Sequence, residues 1–303
     1  MYPIKEEFSK QIEGTFGQDG VEWLRQLPEL LEYIAQRWSL ELMPPFEPLS
    51  YNYVAPCIMP DGSEGVIKLG VPNKELITEI GALGHFEGRG AVLLINADPD
   101  SGVLLLERLK PGVHLLDSAD DASATYTAAD VMGQLWRQAP EQHPLPSVED
   151  WARGLSRLRD RFAGGTGPFP AEVVDHAEGL FEDLIRSMSD PVVLHGDLHH
   201  WNILSAERQP WLAIDPKGVI GEPEYEVGAW LRNPFPHILG LSNPRKLIAR
   251  RVDTFVEMFG FERDRIIGWG TAQAVLAAWW SYEDQGEEWE KWIAIAECIE
   301  SIE

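Results

Sequence analysis

Hydrophobic residues follow two different patterns on either side of residue 110. Apolar positions recur at helical spacing over Asp19–Trp38 and again over Asn73–Phe86, which predicts two amphipathic helices. Between and after these helices, short apolar runs are cut by prolines and by turn residues such as Asp61-Gly62, as is typical of hairpins. The pattern predicts a β-rich unit with one leading and one internal helix. Its predicted strands are Phe46–Leu49, Tyr53–Met59, Glu64–Leu69 and two within Gly90–Gly112 around a turn at Asp98–Gly102.

Helical spacing dominates the rest of the chain. The predicted helices are Ala124–Gln138, Val148–Phe162, Pro170–Met188, Lys246–Phe259, Asp264–Asp284 and Glu287–Ser301. Short strand-like runs return at Val192–Leu194, Asn202–Leu204 and Trp211–Ile214. We therefore expect an α+β protein with two lobes: a small β-rich N-lobe over residues 1–110 and a larger helical C-lobe over residues 111–303, joined near Leu109–Val113.

Composition narrows the function classes. The net charge of −24 repels phosphate backbones and anionic lipid, so we expect no nucleic-acid and no membrane partner. The same charge either attracts a cationic substrate or serves solubility alone. No apolar run is long enough for a membrane span, the N-terminus does not resemble a secretory signal, and there are only two cysteines. These features predict a cytoplasmic protein.

Candidate chemistry is concentrated between Val192 and Gly218, where polar residues follow short apolar strands. Asp197 lies just after one run, Asn202 opens the next, and Asp215 follows the third, so we expect these side chains on neighbouring loops. This set suits phosphoryl transfer. One carboxylate orients an acceptor hydroxyl and takes its proton, while an amide oxygen and a second carboxylate bind Mg²⁺.

Two other interpretations of this segment are a polar loop that closes a core hairpin and a zinc site. The zinc ligands would be His195, His199 and His200. His199 and His200 are adjacent in sequence and point in different directions in most backbones, and neither a cysteine cluster nor a His-Glu-x2-His helix accompanies them. The spacing therefore favours phosphoryl transfer.

The motifs "HGDLHHWN" (residues 195–202) and "IDP" (residues 214–216) resemble those of the aminoglycoside phosphotransferases, which are small-molecule kinases with a protein-kinase-like fold. The segment "PWLAIDPKGVIGEPEYEVGAWLRNP" (residues 210–234), with "VIKLG" and "LLLERLKPG" upstream, is more specifically similar to the streptomycin 6-phosphotransferase and hydroxyurea phosphotransferase family. The resemblance implies a bilobal kinase-like fold, ATP and Mg²⁺ as cofactors, Asp197 as the catalytic residue, and Asn202 and Asp215 as metal ligands.

The resemblance also implies a nucleotide site in the N-lobe. Lys68 lies between strand-core residues and would bind the nucleotide phosphates while pairing with Glu79 on the following helix, or with Glu75 instead. Glu107 and Leu109 would offer backbone contacts to adenine. No Gly-x-Gly-x2-Gly loop stands between the first strands. Ser50 and nearby backbone amides would bind the phosphates in its place.

The implied activity is ATP-dependent O-phosphorylation of a small hydroxylated molecule, cationic if it is a streptomycin-like aminocyclitol. The alternatives are a hydroxyurea-like or other hydroxylated metabolite, or a kinase-like nucleotide-binding protein with little turnover. The last alternative arises because Glu226 stands where such kinases usually carry an aspartate that braces the catalytic loop, and because the loop between the first strands is poor in glycine. Acids that could bind a cationic acceptor are Glu222, Glu224, Glu283 and Asp284.

Overall fold

A computed structural model describes residues 4–117, 120–284, 286 and 288–302. An antiparallel five-stranded sheet and two helices form the first part of the chain, and helices form most of the second. The predicted α+β architecture with a smaller β-rich and a larger helical part is confirmed. None of the helices in these ranges combines the length and the apolar character that crossing a membrane requires.

The large sheet has the strand order β1-β2-β3-β5-β4. Its strands are β1 (Glu41–Leu42), β2 (Tyr53–Ile58), β3 (Glu64–Leu69), β4 (Leu94–Asp98) and β5 (Val103–Glu107). The strand predicted at Phe46–Leu49 does not form, and that prediction was wrong. Pro45 and Pro48 cannot donate to a strand ladder, and the short β1 pairs with the end of β2 instead.

Two helices belong to the N-terminal part: α1 (Glu6–Trp38) and α2 (Lys74–Phe86). The first begins thirteen residues before its predicted start and is kinked at Gly17, which has a φ of 56°. Beyond the kink, a Cβ added to Gly20 would lie 2.6 Å from the Ile12 carbonyl oxygen, so glycine is needed for the two helical segments to approach. The bounds of α2 agree with prediction to within one residue, because Asn73 caps its N-terminus.

The helical part also contains two short strand pairs, which carry the polar segment. The small strands are β6 (Val192–Leu194), β7 (Ile203–Ser205), β8 (Trp211–Ala213) and β9 (Val219–Gly221), paired as β6-β9 and β7-β8. The helices are α3 (Asp121–Leu135), α4 (Val148–Arg161), α5 (Ala171–Arg186), α6 (Pro223–Leu231), α7 (Pro244–Phe259), α8 (Arg263–Asp284) and α9 (Trp289–Glu300). Glu287, the predicted start of the last helix, lies outside the described residues.

Two apolar clusters hold the fold together. One joins α1 to one face of the large sheet. The other is continuous from α2 and strand β5 through the hairpin β7-β8 to the C-terminal helices, so residues on both sides of position 110, such as Leu106 and Leu115, share one core. The division of the chain at residue 110 stays a prediction. The continuous core fixes α2 and β3 relative to the polar segment, and this positions the site.

Candidate active site

The two loops that carry Asp197, Asn202 and Asp215 are joined directly to each other. Strand β6 ends at Leu194, and the buried ring of His195 contacts the Ile214 carbonyl oxygen through Nε2 at 2.8 Å. The Ile214 amide donates to the Asn202 carbonyl oxygen at 2.9 Å. These bonds place Asp215 beside the segment 195–202, as the sequence predicted for neighbouring loops.

The side chain of Glu226 supports the start of the segment 195–202 through hydrogen bonds to its backbone. Its side chain is 1% exposed, and its carboxylate accepts the amide of His195 at 2.6 Å and the amide of Gly196 at 2.9 Å. Burial raises the pKa of Glu226 to about 7, although the two amides oppose the shift. The longer side chain therefore reaches both amides and supports this part of the loop.

Asp197 is held as a carboxylate by neighbouring cations. Arg232 donates from Nη2 to its Oδ1 at 3.1 Å, and His199 Nε2 lies 3.6 Å from its Oδ2. Burial would raise the pKa of Asp197, but the charges of His199, Arg232 and Lys217 outweigh burial and lower it. Because burial lowers the pKa of His199 itself, Arg232 and Lys217 are the cations that act at neutral pH. Arg232 is fixed in turn by Gln273, whose Oε1 accepts from Nη1 at 2.6 Å.

Lys68 joins the N-lobe to the polar segment. Its buried ammonium group donates to both carboxylate oxygens of Glu79, at 2.7 and 2.9 Å, and to Asp215 Oδ1 at 3.0 Å. Burial would lower the pKa of Lys68, but Asp215 and Glu79 outweigh it and hold the ammonium charged. Glu75, the alternative partner, pairs instead with Lys217 at 2.8 Å.

Asn202 and Asp215 fit a hard cation such as Mg²⁺. The Asn202 amide nitrogen donates to the Asp197 carbonyl oxygen at 3.0 Å, which leaves its Oδ1 available. Half of the Asp215 side chain is exposed, and its backbone adopts a φ of 57°, which turns it out of the regular strand path. By contrast, His200 stacks on Trp230 at 3.8 Å and does not converge with His195 and His199 on a zinc position.

The proposed adenine contacts lie where β5 ends. The Glu107 side chain is committed to Arg208, with two contacts of 2.9 Å, and its amide donates to the Leu93 carbonyl oxygen at 2.9 Å, so neither group is free to contact a base. The Leu109 side chain is buried, and neither its amide nor its carbonyl has a hydrogen bond within the described residues. Ser50 is exposed in the irregular segment between β1 and β2, where its hydroxyl has no partner in the described part of the chain.

A cleft of about 830 Å³ opens in front of Asp197 on the C-lobe side. Glu283 and Asp284, at the end of α8, line it as the sequence analysis expected, and so do Trp280 and Trp292. Glu283 pairs with Arg157 at 3.3 Å, whereas Asp284 has no ion-pair partner in the described ranges. Among the described residues that line the cleft, Asp284 is therefore an acid without an ion pair, and Trp280 and Trp292 line the same cleft.

Glu222 and Glu224 are not among the described residues that line this cleft, and the burial of Glu222 corrects its predicted substrate role, whereas that of Glu224 stays a prediction. Glu222 is buried, pairs with Arg265, and accepts a hydrogen bond from the Trp269 indole nitrogen. It stabilises the start of α6 and has no oxygen to offer a ligand. Glu224 follows in the first turn of the same helix, where partial burial raises the pKa of its carboxyl.

Two cleft cations, Arg232 and Lys217, did not emerge from the sequence analysis. Arg232 follows α6, a helix that the hydrophobic pattern missed, so its return to Asp197 could not be predicted from spacing. Lys217 lies two residues after Asp215, inside the segment 210–234 that resembles the kinase family. A lysine in that position is a signal that was available, because its side chain must leave the backbone close to Asp215 and to the loop that carries Asp197.

Comparisons with known proteins agree with this geometry. The profile of the aminoglycoside/hydroxyurea antibiotic resistance kinase family matches residues 43–285. A streptomycin 6-kinase from Streptomyces glaucescens is 30% identical over 93% of this chain and 91% of its own length. A hydroxyurea phosphotransferase from Kitasatospora aureofaciens is 32% identical over 93% of this chain and 82% of its own length.

The fold has solved counterparts as well. The choline kinase LicA from Streptococcus pneumoniae superimposes with a TM-score of 0.62 at 14% identity, covering 90% of this chain and 99% of that one. At that identity the likeness establishes the fold alone. Taken with the profile match over most of the chain, it leads to one conclusion: the chain belongs to the aminoglycoside/hydroxyurea antibiotic resistance kinase family and is a nucleotide-dependent small-molecule phosphotransferase.

Proposed function

We propose that this protein transfers the γ-phosphoryl group of ATP to a hydroxyl of a streptomycin-like aminocyclitol. The observation that carries the proposal is the placement of unpaired Asp284 in the same cleft as Asp197. A streptomycin-like molecule carries guanidinium groups, which an uncompensated carboxylate binds well. Hydroxyurea is small and neutral, and it would leave most of a cleft of about 830 Å³ unfilled.

The chemistry assigned to the chain's own residues is direct transfer. Asp197 accepts a hydrogen bond from the acceptor hydroxyl and takes its proton as the oxygen attacks the γ-phosphorus. The bond between that phosphorus and the bridging β-phosphate oxygen breaks, ADP leaves with the electron pair, and Asp197 later releases its proton to water. Lys68, held by Glu79, binds the nucleotide phosphates. Bound by Asn202 and Asp215, Mg²⁺ would neutralise phosphate charge.

Asn202→Ala and Asp215→Ala should each weaken Mg²⁺-dependent ATP binding, by roughly 10-fold or more for Asp215, since loss of a charged oxygen ligand is the larger change. Isothermal titration with ATP at several Mg²⁺ concentrations checks this. ATP binding without Mg²⁺ should change much less. Unaltered Mg²⁺ dependence in both variants would remove these residues from the metal site.

Asp284→Asn should raise the KM for streptomycin by roughly 10-fold, the equivalent of one shielded charge-assisted contact of about 1.5 kcal/mol, and leave the KM for ATP unchanged. The wild-type KM for streptomycin should also rise with salt, because charge pairs are screened. Asp264→Asn, at the opposite end of α8, makes the same charge change and is the control. Equal effects of both substitutions would mean that only net charge matters.

The direct test is to incubate the protein with ATP, Mg²⁺ and either streptomycin or hydroxyurea, and to detect the phosphorylated product by mass spectrometry. We expect streptomycin to gain one phosphoryl group. Phosphorylation of hydroxyurea alone would transfer the assignment to a neutral acceptor. ATP binding with product from neither would leave a different hydroxylated substrate or a protein with little turnover.

A further inference from the structure

Lys217 is a second cation beside Asp197, and its backbone is fixed on both sides. Its amide donates to the His195 carbonyl oxygen at 2.8 Å. Its carbonyl accepts the Thr78 hydroxyl of α2 at 2.6 Å. The next residue, Gly218, has a φ of 70°, and a Cβ there would lie 2.8 Å from the Thr78 carbonyl oxygen. The backbone of Lys217 is therefore held between the loop that carries Asp197 and helix α2.

The side chain starts directly over that loop. A Cβ built on Gly196 would lie 3.4 Å from the Lys217 Cβ, and Gly196 immediately precedes Asp197. Lys217, Gly196 and Asp197 all line the same cleft. A flexible four-carbon side chain that begins there has the reach to place its ammonium group beside the Asp197 carboxylate or beside a group bound in front of it.

The ion pair of Lys217 is one that a ligand can displace. Its partner Glu75 lies at 2.8 Å, and the two side chains are 43% and 71% exposed. Ion pairs this accessible to water contribute little to stability. Arg232 differs, because it is buried and held by both Gln273 and Asp197. Lys68 likewise has two carboxylates.

We propose that Lys217 is a catalytic residue that leaves Glu75 during turnover and binds a non-bridging oxygen of the phosphoryl group in transfer. The inference rests on the proposed phosphotransfer at Asp197. Negative charge is spread over the transferring group in the transition state, and a cation that contacts it there lowers the barrier more than it strengthens nucleotide binding. Arg232, in contrast, positions Asp197.

Lys217→Ala should lower kcat by roughly 30-fold or more, with the KM for acceptor and the Kd for ADP each changed by less than about 3-fold. Lys217→Arg should recover part of the loss. Glu75→Gln should leave kcat equal or higher, because it removes the competing carboxylate. Lys10→Ala, which breaks an exposed lysine–glutamate pair on α1, is the matched control. A kcat loss in Glu75→Gln as large as that in Lys217→Ala would make the ion pair a structural link and overturn the proposal.

Binding of a transition-state mimic tests the role of Lys217 independently of which acceptor the enzyme uses. The affinity for ADP with aluminium fluoride should fall at least about 10-fold in Lys217→Ala, while the affinity for ADP alone is retained. If wild-type protein phosphorylates neither streptomycin nor hydroxyurea, the acceptor assignment fails, but this comparison still tests Lys217. Equal affinity of wild type and variant for the ADP–fluoride complex would show that the lysine does not contact the transferring group. An equal loss for ADP would make it a nucleotide anchor.

Discussion

Asp197→Asn should reduce kcat by roughly 10³-fold while the Kd for ATP changes by less than about 3-fold. Asparagine keeps an oxygen that can accept from Arg232 and from the acceptor hydroxyl, but it cannot take the proton. It is a better test than alanine, which would leave the buried guanidinium of Arg232 without any side-chain oxygen at position 197 to accept its hydrogen bond. Steady-state kinetics with the accepted substrate, together with calorimetric titration of ATP, measures both quantities.

The matched control for this substitution is Asp253→Asn. Asp253 is also paired with an arginine, Arg263, but it is exposed on α7 and outside the cleft. Its kcat should equal that of wild type. A variant at position 197 that retained more than about a tenth of wild-type turnover would exclude proton transfer to Asp197 as a major contribution, since such transfer typically supplies at least about 10²-fold.

Much of the architecture could be predicted from local patterns. Strands β2 and β3 and helices α2 and α4 were predicted to within one residue at each end, because each has a clear period or a recognisable turn or cap. Helix α6 was missed for a physical reason. Its nine residues are almost all buried, so no polar stripe marks a helical period.

The site was predictable where function is tied to a short motif and unpredictable where it depends on tertiary packing. Asp197, Asn202 and Asp215 lie within 19 residues of each other, and the structure places them on adjoining loops. The contact from Arg232 to Asp197 spans 35 residues and depends on the course of α6. The predicted substrate role of Glu222 was wrong for the same reason, because its partner Arg265 is distant in sequence and reaches it only in the folded chain.

Glu226→Gln should lower kcat by roughly 10²-fold near pH 8, and it should destabilise the fold less there than at about pH 5, because wild type itself loses stability as the buried carboxyl ionises. A carboxylate accepts the amides of both His195 and Gly196, whereas a carboxamide has one oxygen for them and turns its NH₂ group towards the other amide. Urea unfolding and kinetics measure the two effects. Glu222→Gln, a change at the other buried glutamate near the start of α6, should destabilise the fold but leave kcat of the folded enzyme unchanged.

As the pH rises, the contribution of Glu226 to the stability of the fold should fall, and its contribution to turnover should rise. Burial raises its pKa from 4.5 in the unfolded chain to about 7 in the fold, so its contribution to stability is complete below pH 4.5 and is lost as the pH rises through 7. The loss corresponds to roughly 3 kcal/mol. Over the same interval kcat should rise, because the ionised carboxylate holds both loop amides. Glu226→Gln should show neither change with a midpoint near pH 7. Kinetics and urea unfolding between pH 5.5 and 8.5 test this for both proteins. If the wild-type pH profiles matched those of the variant, the carboxyl of Glu226 would not titrate in this range.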